Sequence, residues 1–197
     1  MRVDMGKIPG VTIGRLARHV DQRGYVYELY SRLRPVAFPD ERFVQDNVAF
    51  SRQGGTIRGL HYQRPPMDQG KLMTVLHGAI LDIAVDLRAG SPTYQKWASI
   101  ELSAENLAQV FLPSGLAHGF CTLVPDTLVV YKMTAGYSQP HEHGIAWDDP
   151  TLAIDWPVTP DQAILSAKDR ANPRLSDIET PFQYRGPQVS PYDRKQA

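Results

Sequence analysis

The stretch Ala79 to Arg88, AILDIAVDLR, decides the fold class. Leu81, Ile83, Val85 and Leu87 recur at every second position, with Asp82, Ala84 and Asp86 between them. A period of two belongs to a β-strand with one apolar face, not to a helix. Similar runs lie on either side. Thr56 to Gln63 and Lys71 to His77 are separated by Pro65 and Pro66, and Leu128 to Thr134 (LVVYKMT) puts Val129, Tyr131 and Met133 on one face. Turn residues punctuate these runs at Gly54-Gly55, Gly90-Ser91-Pro92, Pro113-Ser114-Gly115 and Ser138-Gln139-Pro140. Short strands at close spacing with Gly and Pro between them predict an all-β sandwich or barrel. Helix is expected near Asp161 to Asp169 (DQAILSAKD), with another short one after Tyr30, and the 16 prolines oppose anything long.

The chain has 197 residues, enough for one domain with a substantial core. No linker-like shift in composition interrupts it, so a single domain is expected over residues 1–185, with the polar segment GPQVSPYDRKQA (residues 186–197) as a loosely held tail. The 21 Lys and Arg balance the 21 Asp and Glu, which argues against gripping nucleic acid or an anionic membrane through bulk charge. No run approaches the roughly 20 apolar residues of a membrane span, and Met1 to Gly10 lacks the apolar core of a secretory signal. A lone Cys121 forms no internal disulfide, which suits a reducing cytoplasm.

Metal and nucleotide-fold signatures are missing. Two His at i, i+2 on a strand could share a metal, but His61 is followed by Tyr62 and Gln63. His141 and His143 have that spacing within SQPHEHG, which reads as a polar loop with incidental histidines. Neither GxGxxG, GxxxxGK[ST] nor GxSxG occurs. What remains is a set of polar residues inside β-type apolar runs: Arg58 and His61 in TIRGLHYQ, Lys71 in QGKLMTVLHG, His118 in FLPSGLAHGF, Tyr131 in LVVYKMT, and Lys168 and Asp169 in LSAKD. Any one alone is most simply a hydrogen-bonded core residue. Several in one small barrel point to its mouth or lumen, where ligands bind, because singly buried charges are costly.

Eight strings in order carry a resemblance: FVQDN (Phe43 to Asn47), RGLHYQ (Arg58 to Gln63), QGKL (Gln69 to Leu72), DIAVDLRAGSPTY (Asp82 to Tyr94), LPSGLAHGF (Leu112 to Phe120), VYKMTAGYS (Val130 to Ser138), WDDP (Trp147 to Pro150) and LSAKD (Leu165 to Asp169). Together they resemble the dTDP-4-dehydrorhamnose 3,5-epimerases from about Asp21 to Leu175. The resemblance implies an all-β, cupin-type jelly roll of two packed antiparallel sheets with short peripheral helices, in a homodimer working without metal or redox cofactor. It also implies epimerisation of a dTDP-4-keto-6-deoxyhexose at C3 and C5, on the way to L-rhamnose.

By the same resemblance His61 is the general base, Asp169 the carboxylate that orients it, Tyr131 the acid on the opposite face, and Lys71 the cation at the O4 oxygen. These types suit the chemistry. An imidazole, ordinarily titrating at about 6.5, can take a proton at cellular pH, whereas a phenol at about 10 keeps its proton until a basic enolate forms. Arg23, Glu28, Gln45, Asn47, Arg58, His118, Glu142 and Lys168 correspond to substrate-contacting positions, Arg23 and Arg58 to the diphosphate, and Tyr137 to an aromatic stacked on the thymine. Arg23 and Glu28 also fit a strand-edge ion pair, and His118 a structural role; His19, His77, His141 and His143 are read as non-catalytic. Gly136 stands where an aromatic is common in the family and Leu116 where Phe is usual; the glycine could loosen base stacking. Competing readings are a C3-only or C5-only epimerase, a non-catalytic nucleotide-sugar-binding cupin, and a metal-dependent cupin oxygenase.

Overall fold

The period-two segments fold as strands within a residue or two of their expected limits. The computed structural model describes residues 1–31 and 41–186; the helix expected after Tyr30 and, apart from Gly186, the expected tail lie outside the described residues. The strands are β1 (Thr12–Arg15), β2 (His19–Asp21), β3 (Gly24–Val26), β4 (Gln45–Ser51), β5 (Ile57–Gln63), β6 (Lys71–His77), β7 (Ala79–Asp86), β8 (Trp97–Ser103), β9 (Ala108–Leu112), β10 (Leu116–Thr122), β11 (Thr127–Met133) and β12 (Glu142–Gly144). Two five-stranded sheets, ordered β1-β9-β6-β11-β4 and β12-β5-β10-β7-β8, are antiparallel throughout, and β2 and β3 form a separate hairpin. Within them β4 to β11 make the eight-stranded double Greek key of a jelly roll: β4-β11-β6-β9 faces β5-β10-β7-β8.

The space between the sheets is apolar at one end, where Met73, Val75, Ile80, Val110, Leu112 and Val129 pack together. A second cluster covers the outer face of the β5–β10–β7 sheet: Leu60, Ile83, Val85 and Leu87 lie against Leu152, Leu175 and Phe182 of the C-terminal segment. β7 therefore has no polar face. Its alternation predicts that Asp82 and Asp86 meet water, yet both are completely buried. Asp86 is held by Arg88, Ser91 and Thr93, with bonds of 2.6 to 3.0 Å. Asp82 points between the sheets, at His118. Cys121 is buried beside Ile57 and Ala163, and burial raises its thiol pKa to about 11.

Two other expectations are corrected. The helix expected over Asp161 to Asp169 is only α1 (Ala167–Arg170), with Ser166 Oγ accepting from the Asp169 N–H at 3.1 Å. The residues before it are drawn out of helix because Ile164 bridges Thr56, its N–H donating to Gly55 and its carbonyl accepting from Ile57. The segment read as a polar loop around His141 and His143 is a turn of 3-10 helix, Gln139–His141, leading into β12. β12 pairs with β5, so neighbour pairing supplied what local pattern did not. Among the described residues no helix is long and apolar enough to cross a membrane.

One irregularity shapes the site. His118 pairs with His61 while Phe120 pairs with Arg58, so β5 carries an extra residue against β10. Simple alternation would put Arg58 and His61 on opposite faces; the bulge turns both toward the same cavity. Gly59 makes this possible, at φ +131° with an added Cβ only 2.5 Å from Gly119 Cα. Gly59→Ala is expected to destabilise the fold by about 3 kcal/mol, through backbone strain and overpacking, and to misplace His61. Urea unfolding of the variant at unchanged m-value measures the first effect.

Candidate active site

The non-core end of the roll encloses a cavity of about 330 Å³, within the range of small-molecule sites. Asn47, Lys71, Tyr131 and Met133 line one wall, from β4, β6 and β11. Their register explains the grouping: Tyr131 sits opposite both Asn47 and Met73, and Met133 opposite both Gln45 and Lys71, so parity across three strands turns them to one side. Arg58, His61, His118 and Phe120 come from β5 and β10 on the facing sheet. Tyr137, Glu142, Lys168 and Asp169 close the cavity from the segments beyond β11.

His61 Nε2 and Asp169 Oδ1 are 2.5 Å apart, with Asp169 buried and His61 partly exposed. Burial pushes the Asp169 carboxyl upward, but the bond to His61, its charge, and the Ser166 hydroxyl more than offset that and leave it below the usual carboxylate range. An ionised Asp169 accepts the Nε2–H, fixes the ring and leaves Nδ1 as the basic nitrogen. This is the oriented-imidazole arrangement that general-base chemistry uses.

Lys71 is the buried cation of the opposite wall. Burial lowers its pKa to about 8 despite the opposing attraction of Asp82 and Glu142. Its nearest hydrogen-bond acceptor is the His61 carbonyl, at a long 3.5 Å. An ammonium so loosely engaged is poised for an anion that forms in the cavity. His118 Nε2 lies 2.8 Å from Asp82 Oδ1, both buried, while Asp82 Oδ2 has no hydrogen-bond partner. Burial holds the His118 pKa below the ordinary value against the pull of Asp82, so the neutral ring donates its Nε2–H. Sequence reading missed Asp82; an aspartate in the middle of an apolar strand was the available signal.

The other expected contacts divide. Arg58, at the mouth, donates to Ser51 Oγ and the Phe50 carbonyl of β4. Lys168 pairs with Glu142, which also accepts from the Tyr137 hydroxyl at 2.7 Å. Burial opposes ionisation of Glu142, but these two bonds hold its pKa down. Gln45 does not line the cavity but bonds two residues that do, donating to Asn47 and accepting from the Tyr137 N–H. Arg23 and Glu28 do not line the chain's own cavity. Arg23 is on the β2–β3 turn, its guanidinium paired with Asp21 at 2.6 Å. His141 Nδ1 meets the Ser138 hydroxyl, and His143 stacks on Tyr62. Gln63, Gln69 and Ser166 also face the cavity and had not been singled out.

The sequence profile of the family described as dTDP-4-dehydrorhamnose 3,5-epimerase matches residues 5–177. A dTDP-4-dehydrorhamnose 3,5-epimerase of Sinorhizobium fredii is 47% identical over 180 residues, 90% of this chain and 91% of that protein. Among solved structures, the dTDP-4-dehydrorhamnose 3,5-epimerase of Bacillus anthracis, with TDP and PPi bound, superposes with a TM-score of 0.79 at 47% identity, covering 84% of this chain and 94% of that one. The dTDP-6-deoxy-D-glucose-3,5-epimerase of Legionella pneumophila, in complex with dTDP-4-keto-L-rhamnose, gives 0.83 at 41% identity, with 90% and 95% covered.

Lys71 has a measurable linkage. Below pH 8 it is protonated in both folded and unfolded chains, and folding bears the whole cost of burying the cation. Between about 8 and its ordinary 10.5 the folded protein loses the proton first. The unfolded state then binds more protons, so this group's contribution makes stability rise with pH. Urea unfolding of the wild type and Lys71→Met across that window is expected to show the wild type gaining on the variant; parallel pH profiles would mean that Lys71 titrates normally.

Proposed function

The chain belongs to the dTDP-4-dehydrorhamnose 3,5-epimerase family, and from that premise we propose that it converts dTDP-4-dehydro-6-deoxy-D-glucose to dTDP-4-dehydro-L-rhamnose with His61 as base and Tyr131 as acid. It is an isomerase, and its cupin-type jelly roll holds the sugar between the sheets. The observation that carries the assignment of roles is that His61 and Tyr131 come from facing sheets and line one cavity with the buried Lys71.

C3 and C5 both flank the C4 ketone. His61 Nδ1 takes the hydrogen from one of these carbons as a proton; the C–H electron pair becomes the C–C double bond of an enolate, and the carbonyl pair moves onto O4. The Lys71 ammonium stabilises that oxyanion. Tyr131 then returns a proton to the carbon from the other face, inverting it, and solvent restores both residues. Asp169 keeps the imidazolium in place, as the aspartate does in a hydrolase triad. The same steps repeat at the second carbon. Arg58 at the mouth suits the diphosphate, Tyr137 the thymine, and Asn47, His118, Glu142 and Lys168 the sugar and its links. The work is assigned to the cytoplasm, where nucleotide sugars are made.

A homodimer completes this reading. β4 is an edge strand of its sheet, and Val44, Val48 and Phe50 are more than half exposed. The β2–β3 hairpin exposes Val20, Tyr25 and Val26 as well. Burying these apolar residues against a second copy is favourable, and Arg23 and Glu28 would then serve a neighbour's cavity.

Incubation with dTDP-4-keto-6-deoxyglucose in D2O is expected to place deuterium at both C3 and C5, read by NMR. Uptake at one carbon selects a narrower epimerase, and none selects a binding module. His61→Ala should slow exchange about a thousandfold with dTDP binding retained, and Tyr131→Phe should admit label while blocking net inversion. Exchange at wild-type rate in His61→Ala overturns the base. Phe50→Asp is expected to give the monomer mass by light scattering and to lower activity; an unchanged mass removes β4 from the interface.

A further inference from the structure

Three glutamines converge on one short stretch of backbone. After β11 the chain crosses the cavity mouth at residues 135–138, which carry the Tyr137 ring, 58% exposed. The Ala135 carbonyl accepts from Gln69 Nε2 at 2.7 Å and the Gly136 carbonyl from Gln63 Nε2 at 3.1 Å. The Tyr137 N–H donates to Gln45 Oε1 at 2.7 Å, and the Ser138 N–H to Gln63 Oε1 at 2.7 Å. The glutamines come from β4, from the end of β5 and from the turn before β6, so the stretch is tied to both sheets. Gln63 and Gln69 are buried.

A buried primary amide must place its donors and its acceptor, and the loop backbone satisfies them here. Gln63 does most, using Nε2 and Oε1 on residues two apart and a second Nε2 bond, 2.5 Å, to the Met67 carbonyl. The loop needs such support: Gly136 brings no side chain of its own, and a Cβ there would find only Gln45 Oε1, at 4.0 Å. Freezing a glycine-bearing backbone costs more conformational entropy than any other. If that ordering is done during folding, a ligand meeting Tyr137 does not bear it.

We infer that Gln63, with Gln45 and Gln69, is a positioning residue that preorganises the 135–138 segment so that the Tyr137 ring is set to receive the nucleobase of the substrate. This rests on the reading of Tyr137 as the base platform and deepens it. Gln63 acts through the loop, so its loss weakens ligands that have a base and spares those that have only phosphates.

Calorimetry with dTDP and with pyrophosphate on the wild type, Gln63→Leu, Tyr137→Ala and the double variant tests this. Gln63→Leu is expected to weaken dTDP about tenfold and pyrophosphate less than twofold, and the double variant should bind dTDP no more weakly than Tyr137→Ala alone. Additive losses, or an equal loss for pyrophosphate, overturn the inference, because Gln63 would then act on the ligand directly or on the whole site. If Tyr137→Ala itself leaves dTDP binding intact, it is the reading of Tyr137 that fails. Should Gln63→Leu not fold, Gln69→Leu, which removes the bond to Ala135, is held to the same comparison; faster amide exchange at residues 135–138 is expected in it, and unchanged exchange counts against the clamp.

Discussion

Holding charge between the two packed sheets is the constraint that orders this molecule. An ionic group taken from water costs several kcal/mol unless partners compensate it. Apart from the buried Asp86–Arg88 pair, the roll gathers such groups around the cavity at one end of its interior and fills the other with Met73, Val75, Val110, Leu112 and Val129. At the polar end Asp169 is joined to His61, Asp82 to His118 and Glu142 to Lys168. Lys71 differs, with only a long contact to a carbonyl. The interior thus supplies one cation whose nearest bond is weak, on the wall opposite an imidazole that is firmly held. That asymmetry between walls is what enolate chemistry needs.

Much of this was legible in the sequence where local rules suffice. β6, β7 and β11 announce themselves by alternation, and parity alone put Tyr131 with Val129 and Met133. The parts that were not legible depend on contacts between distant segments. Asp82 reads as solvent-facing until the second sheet covers it. Arg58 and His61 have opposite parity until the bulge at Gly59 turns them together. Asp161 to Ser166 has the composition of a helix, and the bridge from Ile164 to Thr56 overrides it. Resemblance to a family supplied roles for residues that alternation could only place.

The loop glutamines belong to the same class of hidden feature. In sequence Gln45, Gln63 and Gln69 are unremarkable polar residues, two of them at strand ends. Only the closed roll brings their amides to one backbone segment. Gly136, which by itself suggests a looser platform for the base, is answered by an amide on its own carbonyl. A local departure from a family's pattern cannot be weighed without the neighbours that receive it.

The spacing of the dyad has a consequence for biosynthesis. Asp169 follows His61 by 108 residues, and it arrives only after β4 to β11 have all been made. On the ribosome the strand that carries His61 emerges long before Asp169, and the segment that carries Asp169 also brings Leu175 and Phe182, which cover the outer sheet. A nascent or prematurely terminated chain ending before α1 lacks both the cover and the partner of its imidazole.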